Sequence, residues 1–532
     1  MPDREEFLRI YHKSLAFLPP AALELVLAAF HYSLGQLDLP QILADISREQ
    51  IIQPFLPDLA RIEAAIASAP SGEVLQPHET SGPLLNPTLQ LLQLGWKGLA
   101  VLFSEKAETV AEPEQGSEYV LVYKQPVSRT VIARPATSED LLLLKMVVED
   151  ISPEEIAKLG SLPVDNIYAA LEKAADAGYL LAGTTLIRRK AQIFRDCDGL
   201  FSRFLQSSYM TLQWHVTQSC DLHCKHCYDR SDRSSMKLED GIRILDDFKI
   251  FCRERRVRGQ ISFSGGNPLL YPHFTELYRA ATERGFVTAL LGNPATREQI
   301  HELISIQMPS FFQVSLEGLQ EHNDNIRGRG HFERIMAFLS ILRELGIYSM
   351  VMLTLTRDNV DQVIPLAELL RSKTDTFNFN RLAMVGEGSN LRLPAKERYA
   401  AFLKDYLKAA EENPVMGIKD NLFNILLKEK DSELFGGCTG FGCGAAFNFL
   451  SVLPDGEVHA CRKFPSAIGN ILKRGIADVY DSDAADRYRK GCAVCSECSI
   501  RPVCGGCLAV THGHGLDVFT EKDPYCFISA KS

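Results

Sequence analysis

Thirteen of the fourteen cysteines in this chain fall after residue 219, and most stand at short spacings. The first group is Cys220-x3-Cys224-x2-Cys227. The second begins with Cys438-x4-Cys443 and Gly456-x4-Cys461, continues as Cys495-x2-Cys498-x5-Cys504-x2-Cys507, and ends at Cys526. In a long chain with no secretory signal, thiols spaced this closely read as metal ligands before disulfides. Three thiolates on one loop suit three irons of a [4Fe–4S] cluster and leave the fourth iron open to a small molecule. A three-cysteine zinc site or unrelated core cysteines are the plainer alternatives. The stretch from Gly436 to Cys526 is too rich in Gly and Cys to bury much apolar area, so bound metal is needed to fold it. Structural zinc is the alternative there, since Cys-x2-Cys pairs suit it too. Cys197 and Cys252 lack metal spacing, and Cys252 lies on an apolar helix face that reads as core.

The remaining composition is that of an ordinary globular chain. Its 532 residues are 46% hydrophobic and 23% charged, which allows about three domains and excludes disorder, collagen and coiled coil. A net charge of −10, from 57 Lys+Arg against 67 Asp+Glu, argues against a nucleic-acid binder. The start MPDREEFLRIYHKSL has no apolar h-region, and LPPAALELVLAAFHYSL is interrupted by two prolines and Glu24. The expectation is a cytoplasmic protein without a membrane span.

Four regions follow from the pattern. Residues 1–108 read as helical, with no catalytic motif. Residues 117–190 read as a separate module. YVLVYKQP and RTVIARPA predict a hairpin, and three helices follow it. The first is capped near Thr137, the second opens at Pro153 and closes at Gly160, and the third ends at Gly178. Residues 205–412 alternate strand and helix through TLQWHVT, QISFSGG, VTALLGN, FFQVSLEG, YSMVMLTLT and TFNFNRLAM. That order predicts an α/β fold, a parallel sheet closed or open as a partial (β/α)6 barrel, with its chemistry at the carboxyl ends of the strands. Residues 430–532 form the irregular cysteine-rich end.

CDLHCKHCY, residues 220–228, resembles the signature of the radical S-adenosylmethionine (radical SAM) superfamily. The resemblance implies that S-adenosyl-L-methionine binds the open iron, and that one electron cleaves it to a 5′-deoxyadenosyl radical that abstracts a substrate hydrogen. It also implies a reducing electron donor such as flavodoxin or ferredoxin. SGGNPLL, residues 264–270, stands where the family has Gly-Gly-Glu-Pro. Gly265 and Gly266 would let backbone approach the methionine moiety. Asn267, in place of Glu, keeps a carbonyl acceptor but loses the charge. VSLEG with HNDNIRG, residues 314–328, resembles the family's fourth-strand segment. By that resemblance Ser315 contacts the ribose and Arg327 the methionine carboxylate, while Tyr228 adjoins the cofactor. His223 and His226 lie within the first cysteine loop and would cover or tune its cluster.

The cysteine-rich end resembles the SPASM domain, the twin-cluster extension of radical SAM maturases. The family spaces the penultimate pair by three residues, whereas Cys504 and Cys507 are separated by two. The resemblance implies two auxiliary [4Fe–4S] clusters, three in all. Cys438, Cys443, Cys461 and Cys507 would hold one, and Cys495, Cys498, Cys504 and Cys526 the other. Cys492 stands close enough to Cys495 to make that register ambiguous. The 117–190 module has winged-helix order and resembles the RiPP recognition element, which binds the leader of a ribosomally made peptide as an added strand. A winged helix that only packs, or one that binds DNA, shares that order. A single basic residue, Lys173, on the third helix argues against DNA.

Together these features imply a radical SAM maturase that modifies a precursor peptide, with thioether formation as the leading expectation. The alternative enzyme is a sulfatase-maturase-like oxidase that makes formylglycine. In that family a carboxylate beside the SPASM cluster acts as base, whereas here Arg462 and Lys463 follow Cys461. A peptide-presenting protein with an inactive first cluster is the non-enzymatic alternative, and the complete cysteine triad argues against it.

Overall fold

The computed structural model describes residues 4–32, 38–47, 52–69, 83–103, 112–181, 183, 185–190, 193–194 and 201–528. Cys197 lies outside the described residues. Two compact units are present: Met1–Ala157 with Asn166–Thr184, and Lys158–Asp165 with Thr185–Ser532.

The first unit opens with helices Arg4–Ile10, His12–Ala16, Pro20–Tyr32, Leu39–Ser47 and Leu56–Ser68. Strands follow: β1 (Leu84–Leu85), β2 (Gln90–Lys97), β3 (Glu114–Lys124) and β4 (Val131–Pro135). After three helices, β5 (Leu180–Leu181) returns to pair with β1. The main sheet has the order β2-β3-β4 and is antiparallel throughout. β2 departs from the expectation of an all-helical 1–108. The reason is a period of two: Leu92, Leu94 and Trp96 turn to one face and join Val120 and Val122 of β3 in a single core. Helix Leu56–Ser68 covers that face with Leu59 and Ile62, and Phe55 meets Trp96 edge-on at 6.2 Å. The N-terminal helices and the sheet therefore share one core, where the sequence suggested two separate regions. Helix Ser138–Glu149 starts at Thr137 with a complete capping box through Asp140, whose carboxylate also takes both ends of the Arg134 fork at 2.7 and 2.8 Å.

The second unit is built on one nine-stranded sheet. Its first six strands are β6 (Tyr209–Thr217), β7 (Arg258–Gly265), β8 (Val287–Leu291), β9 (Phe312–Ser315), β10 (Ser349–Leu355) and β11 (Thr376–Arg381). They are parallel and lie side by side in chain order, with helices between them. This is the α/β architecture that the alternating pattern implied. Trp214 on β6 and Phe263 on β7 are fully buried and stack at 6.1 Å on the helix-covered face. Cys252 packs in this core, 6% exposed, and burial pushes its thiol up.

The C-terminal region is more regular than its composition suggests. β12 (Phe449–Val452) pairs in parallel with β6, and β13 (Glu457–His459) and β14 (Ala467–Asn470) continue as an antiparallel meander. The sheet order is β11-β10-β9-β8-β7-β6-β12-β13-β14. The cysteine-rich end is thus hydrogen-bonded into the barrel sheet. No described helix is long and apolar enough to cross a membrane.

Candidate active site

The carboxyl ends of β6 to β11 surround a cavity of about 600 Å³. That volume lies within the range of small-molecule and cofactor sites. β6 runs straight into the Cys220–Cys227 loop, and all three cysteines line the cavity. Gly265 and Gly266 line it from β7, Asn293 from beyond β8, Ser315 from β9, Thr354 from β10 and Asn380 from β11.

The cysteine loop is held against the end of β7. Gly266 N donates to Thr217 O at 3.0 Å, and Asn267 N to Ser219 O at 2.8 Å. A Cβ on Gly266 would sit 2.3 Å from Ser219 O and 2.5 Å from Gln218 O, so only glycine permits this approach. Gly266→Ala should cost about 1–3 kcal/mol through overpacking against rigid backbone. The check is a lower urea midpoint together with faster iron loss from the reconstituted protein. An unchanged midpoint would show that the loop shifts freely.

Within the loop, Arg327 Nη1 lies 3.7 Å from Cys224 Sγ, and Asn293 Nδ2 the same distance from Cys220 Sγ. Burial pushes both thiols up, while Arg327 draws the Cys224 thiol down and the Asn293 amide the Cys220 thiol. Beneath them lies a buried charged group. Glu317 accepts from Arg327 Nε and Nη2 at 2.8 and 2.6 Å and from Thr354 N at 2.8 Å, with His226 Nε2 at 3.3 Å. Burial works to raise the Glu317 carboxyl, and His226, Arg327 and the Thr354 amide together hold it below its ordinary range.

Two of the expected cofactor contacts have partners within the protein. Arg327 lines the cavity, with its guanidinium paired to Glu317 and Nη1 3.7 Å from the Cys224 sulfur. Asn267 is 4% exposed and does not line the cavity. Its carbonyl caps the short helix Pro268–Leu270 and its amide donates to Asp221 at 3.1 Å. With the Glu of the family replaced, the shorter side chain satisfies local backbone instead. Tyr228, Gly265, Gly266 and Ser315 do line the cavity, and the Tyr228 hydroxyl is buried without a partner.

The opposite wall of the cavity carries Cys438, Cys443, Cys461 and Cys507. Burial pushes the Cys443 thiol up to about 11 and Cys461 up to about 12, and the neighbouring sulfurs of the set add to this. Cys495, Cys498, Cys504 and Cys526 surround a separate void of about 20 Å³. Cys492 is buried beside Cys495 but does not line that void. Cys504 and Cys507 face different sites although only Gly505 and Gly506 separate them. Both glycines are left-handed, with φ of 69° and 63°, which reverses the chain within the short spacing. Asn421 Nδ2 fixes the crossing, donating to Cys504 O at 2.7 Å and Gly506 O at 2.6 Å.

Sequence reasoning gave Arg462 no positive role, yet it connects the two walls. Its guanidinium stacks on the Tyr228 ring at 4.1 Å and donates from Nη2 to Gly265 O at 3.3 Å. Gly386 was missed as well. Its φ is 60°, and a Cβ there would lie 2.7 Å from Cys227 O. No local pattern announces either residue.

The donor sets fit iron–sulfur clusters. Three cysteines on one loop and two sets of four line voids, the thiolate numbers that an open and two closed clusters take. An unpaired tyrosine hydroxyl and a glycine turn beside the three-cysteine loop leave room for a small polar molecule.

Residues 214–370 match the Radical SAM superfamily and residues 443–507 match SPASM, an iron–sulfur cluster-binding domain. The chain is 26% identical over 344 residues to an AdoMet-dependent heme synthase of Methanosarcina barkeri (strain Fusaro / DSM 804), a match covering 59% of this chain and 95% of that protein. It is 28% identical over 340 residues to mycofactocin maturase MftC of Mycolicibacterium smegmatis, covering 59% of this chain and 82% of the relative. The crystal structure of Streptococcus suis SuiB bound to S-adenosylmethionine superposes with a TM-score of 0.49 at 18% identity, covering 77% of this chain and 96% of that one. The chain thus carries a radical SAM domain and a SPASM domain, and with them the S-adenosylmethionine and [4Fe–4S] cofactors of an enzyme.

Proposed function

We propose that this enzyme is a maturase of a ribosomally made precursor peptide. The observation that carries the reading is the single cavity with Cys220, Cys224 and Cys227 on one wall and Cys438, Cys443, Cys461 and Cys507 on the other. A side chain entering it meets both sets without leaving the protein. In this reading the first three cysteines hold the cluster that binds S-adenosylmethionine, with Tyr228, Gly265, Gly266 and Ser315 around the cofactor. Cys438, Cys443, Cys461 and Cys507 hold one auxiliary cluster, and Cys495, Cys498, Cys504 and Cys526 the second. Bound S-adenosylmethionine supplies the radical that removes a carbon-bound hydrogen from the substrate. The protein orients the reacting atom and keeps water from it at the base of the cavity. Flavodoxin or ferredoxin is the electron donor.

The first unit favours a peptide substrate. β4 is an edge strand, paired only with β3, and edge strands accept extended peptides through backbone hydrogen bonds. Residues 117–190 would bind the leader in this way. The finer expectation is a thioether between a peptide cysteine and a carbon, which lowers the peptide mass by two hydrogens. Formylglycine formation is disfavoured because the position after Cys461 holds an arginine stacked on Tyr228, which cannot act as a base at neutral pH.

The match to a heme synthase over 95% of that protein supports a second reading, a porphyrin substrate. One experiment separates the two. Anaerobically purified, iron- and sulfide-loaded protein is given S-adenosylmethionine and dithionite, with either a cysteine-containing precursor peptide or iron coproporphyrin. The expected result is 5′-deoxyadenosine formation stimulated by the peptide, whose mass falls. Replacing Ala133 in β4 by proline, which disturbs the edge strand, should weaken leader binding at least about tenfold, because proline cannot hydrogen-bond in a strand. Turnover of the porphyrin with an inert peptide would overturn the maturase reading.

A further inference from the structure

The methionine carboxylate of S-adenosylmethionine is an anion entering a cavity partly closed to water, where it needs a cation. Six cations line the cavity: Arg230, Arg327, Arg381, Lys419, Arg462 and Lys463. Arg327 is paired to Glu317, and Arg381 gives its whole fork to Asp420 and Asp523. Arg230 is exposed and donates to Cys224 O. Lys419 reaches Cys438 O at 3.4 Å, and Lys463 acts on Cys461 and Cys507 on the opposite wall.

Arg462 differs from the others. Its ring contact and its hydrogen bond reach the first cysteine loop and the glycine turn. It stacks on Tyr228, donates from Nη2 to Gly265 O, and lies beside Cys227. Its Nη1 is buried and has no hydrogen-bond partner. A buried guanidinium with one unfilled arm is a strained arrangement without an anion, and a satisfied one with a carboxylate. The turn between β13 and β14 places it there, with Cys461 N anchored on Ser466 Oγ at 3.0 Å.

We propose that Arg462 holds the methionine carboxylate of S-adenosylmethionine, so that the SPASM domain completes the cofactor site of the barrel. This rests on the reading of the cavity as the S-adenosylmethionine site. Arg462 is a binding residue here, reached from a segment nearly two hundred positions away.

The test is equilibrium binding to cluster-loaded enzyme, without turnover. The probes are S-adenosylmethionine and its decarboxylated analogue, on the native protein, Arg462→Met and Arg462→Lys. Iron content is matched beforehand. The native enzyme is expected to prefer S-adenosylmethionine. In Arg462→Met that preference should narrow about tenfold or more, with binding of the analogue unchanged. Arg462→Lys keeps the charge and should recover much of the preference. If Arg462→Met loads its clusters poorly, Arg462→Lys alone should still show a narrowed gap, because one ammonium replaces a two-armed fork. A preference unchanged in both variants would overturn the assignment of Arg462. Failure of the native enzyme to bind either probe would instead overturn the reading of the cavity.

Discussion

Replacing Cys220, Cys224 and Cys227 together by alanine is expected to reduce 5′-deoxyadenosine formation to the level of a blank. The three thiolates leave one iron open, and no other set of cysteines in the cavity has that property. In the proposed reading Cys438, Cys443, Cys461 and Cys507 would make a four-thiolate set with no vacant iron. The variant should still fold, because Cys220 is exposed and Cys224 and Cys227 are half-buried on a loop outside the apolar core. About a third of the bound iron should be lost, one cluster of three. Iron analysis and quantification of 5′-deoxyadenosine after dithionite reduction check both. Persistent product in the triple variant would mean that the radical chemistry starts elsewhere.

Arg381→Met is expected to be the most damaging single substitution in the second unit outside the cysteines. Arg381 ends β11 with its side chain fully buried. Its Nε donates to Asp420 at 2.7 Å, and Nη1 and Nη2 donate to the two oxygens of Asp523 at 2.9 and 2.6 Å. Removing the cation leaves two carboxylates facing each other away from water, which costs about 3–5 kcal/mol. An exposed pair such as Arg203–Glu433 should cost less than about 1 kcal/mol when broken, because water already screens it. The damage should also have an address. Asp523 Oδ2 accepts from Cys507 N at 2.9 Å, and Cys526 lies three residues further on. Both auxiliary sites should therefore lose iron before the Cys220 loop does. Urea midpoints for Arg381→Met and Arg203→Met, with iron content by site, provide the measurement. Equal midpoints would show that the buried network carries no special weight.

The parts legible in the sequence are those encoded by near neighbours. The Cys220-x3-Cys224-x2-Cys227 loop, the six barrel strands and the Thr137 cap each depend on residues a few positions apart. The Gly505–Gly506 crossing is local too, and it explains how a spacing shorter than the family's still serves two sites. Arg462 with Gly265 and Arg381 with Asp523 depend on sheet order instead, being 197 and 142 residues apart. No spacing rule reaches that far. Asn267 and Arg327 show the same limit from the other side. The family pattern points them at a ligand, and no spacing announces that Asp221 and Glu317 also pair with them. β2 was missed because its strand period is short and follows a long helical stretch.

The pairing of β12 with β6 bears on how the protein can be divided. Phe449–Val452 covers the edge of β6 along Thr211–Trp214. A barrel cut away from its SPASM domain would present those backbone amides and carbonyls as a bare apolar edge, the surface on which strands from different molecules add to one another. Truncation after the barrel should therefore give aggregates rather than a half-enzyme. The domain that carries the auxiliary cysteines also covers an edge of the catalytic sheet.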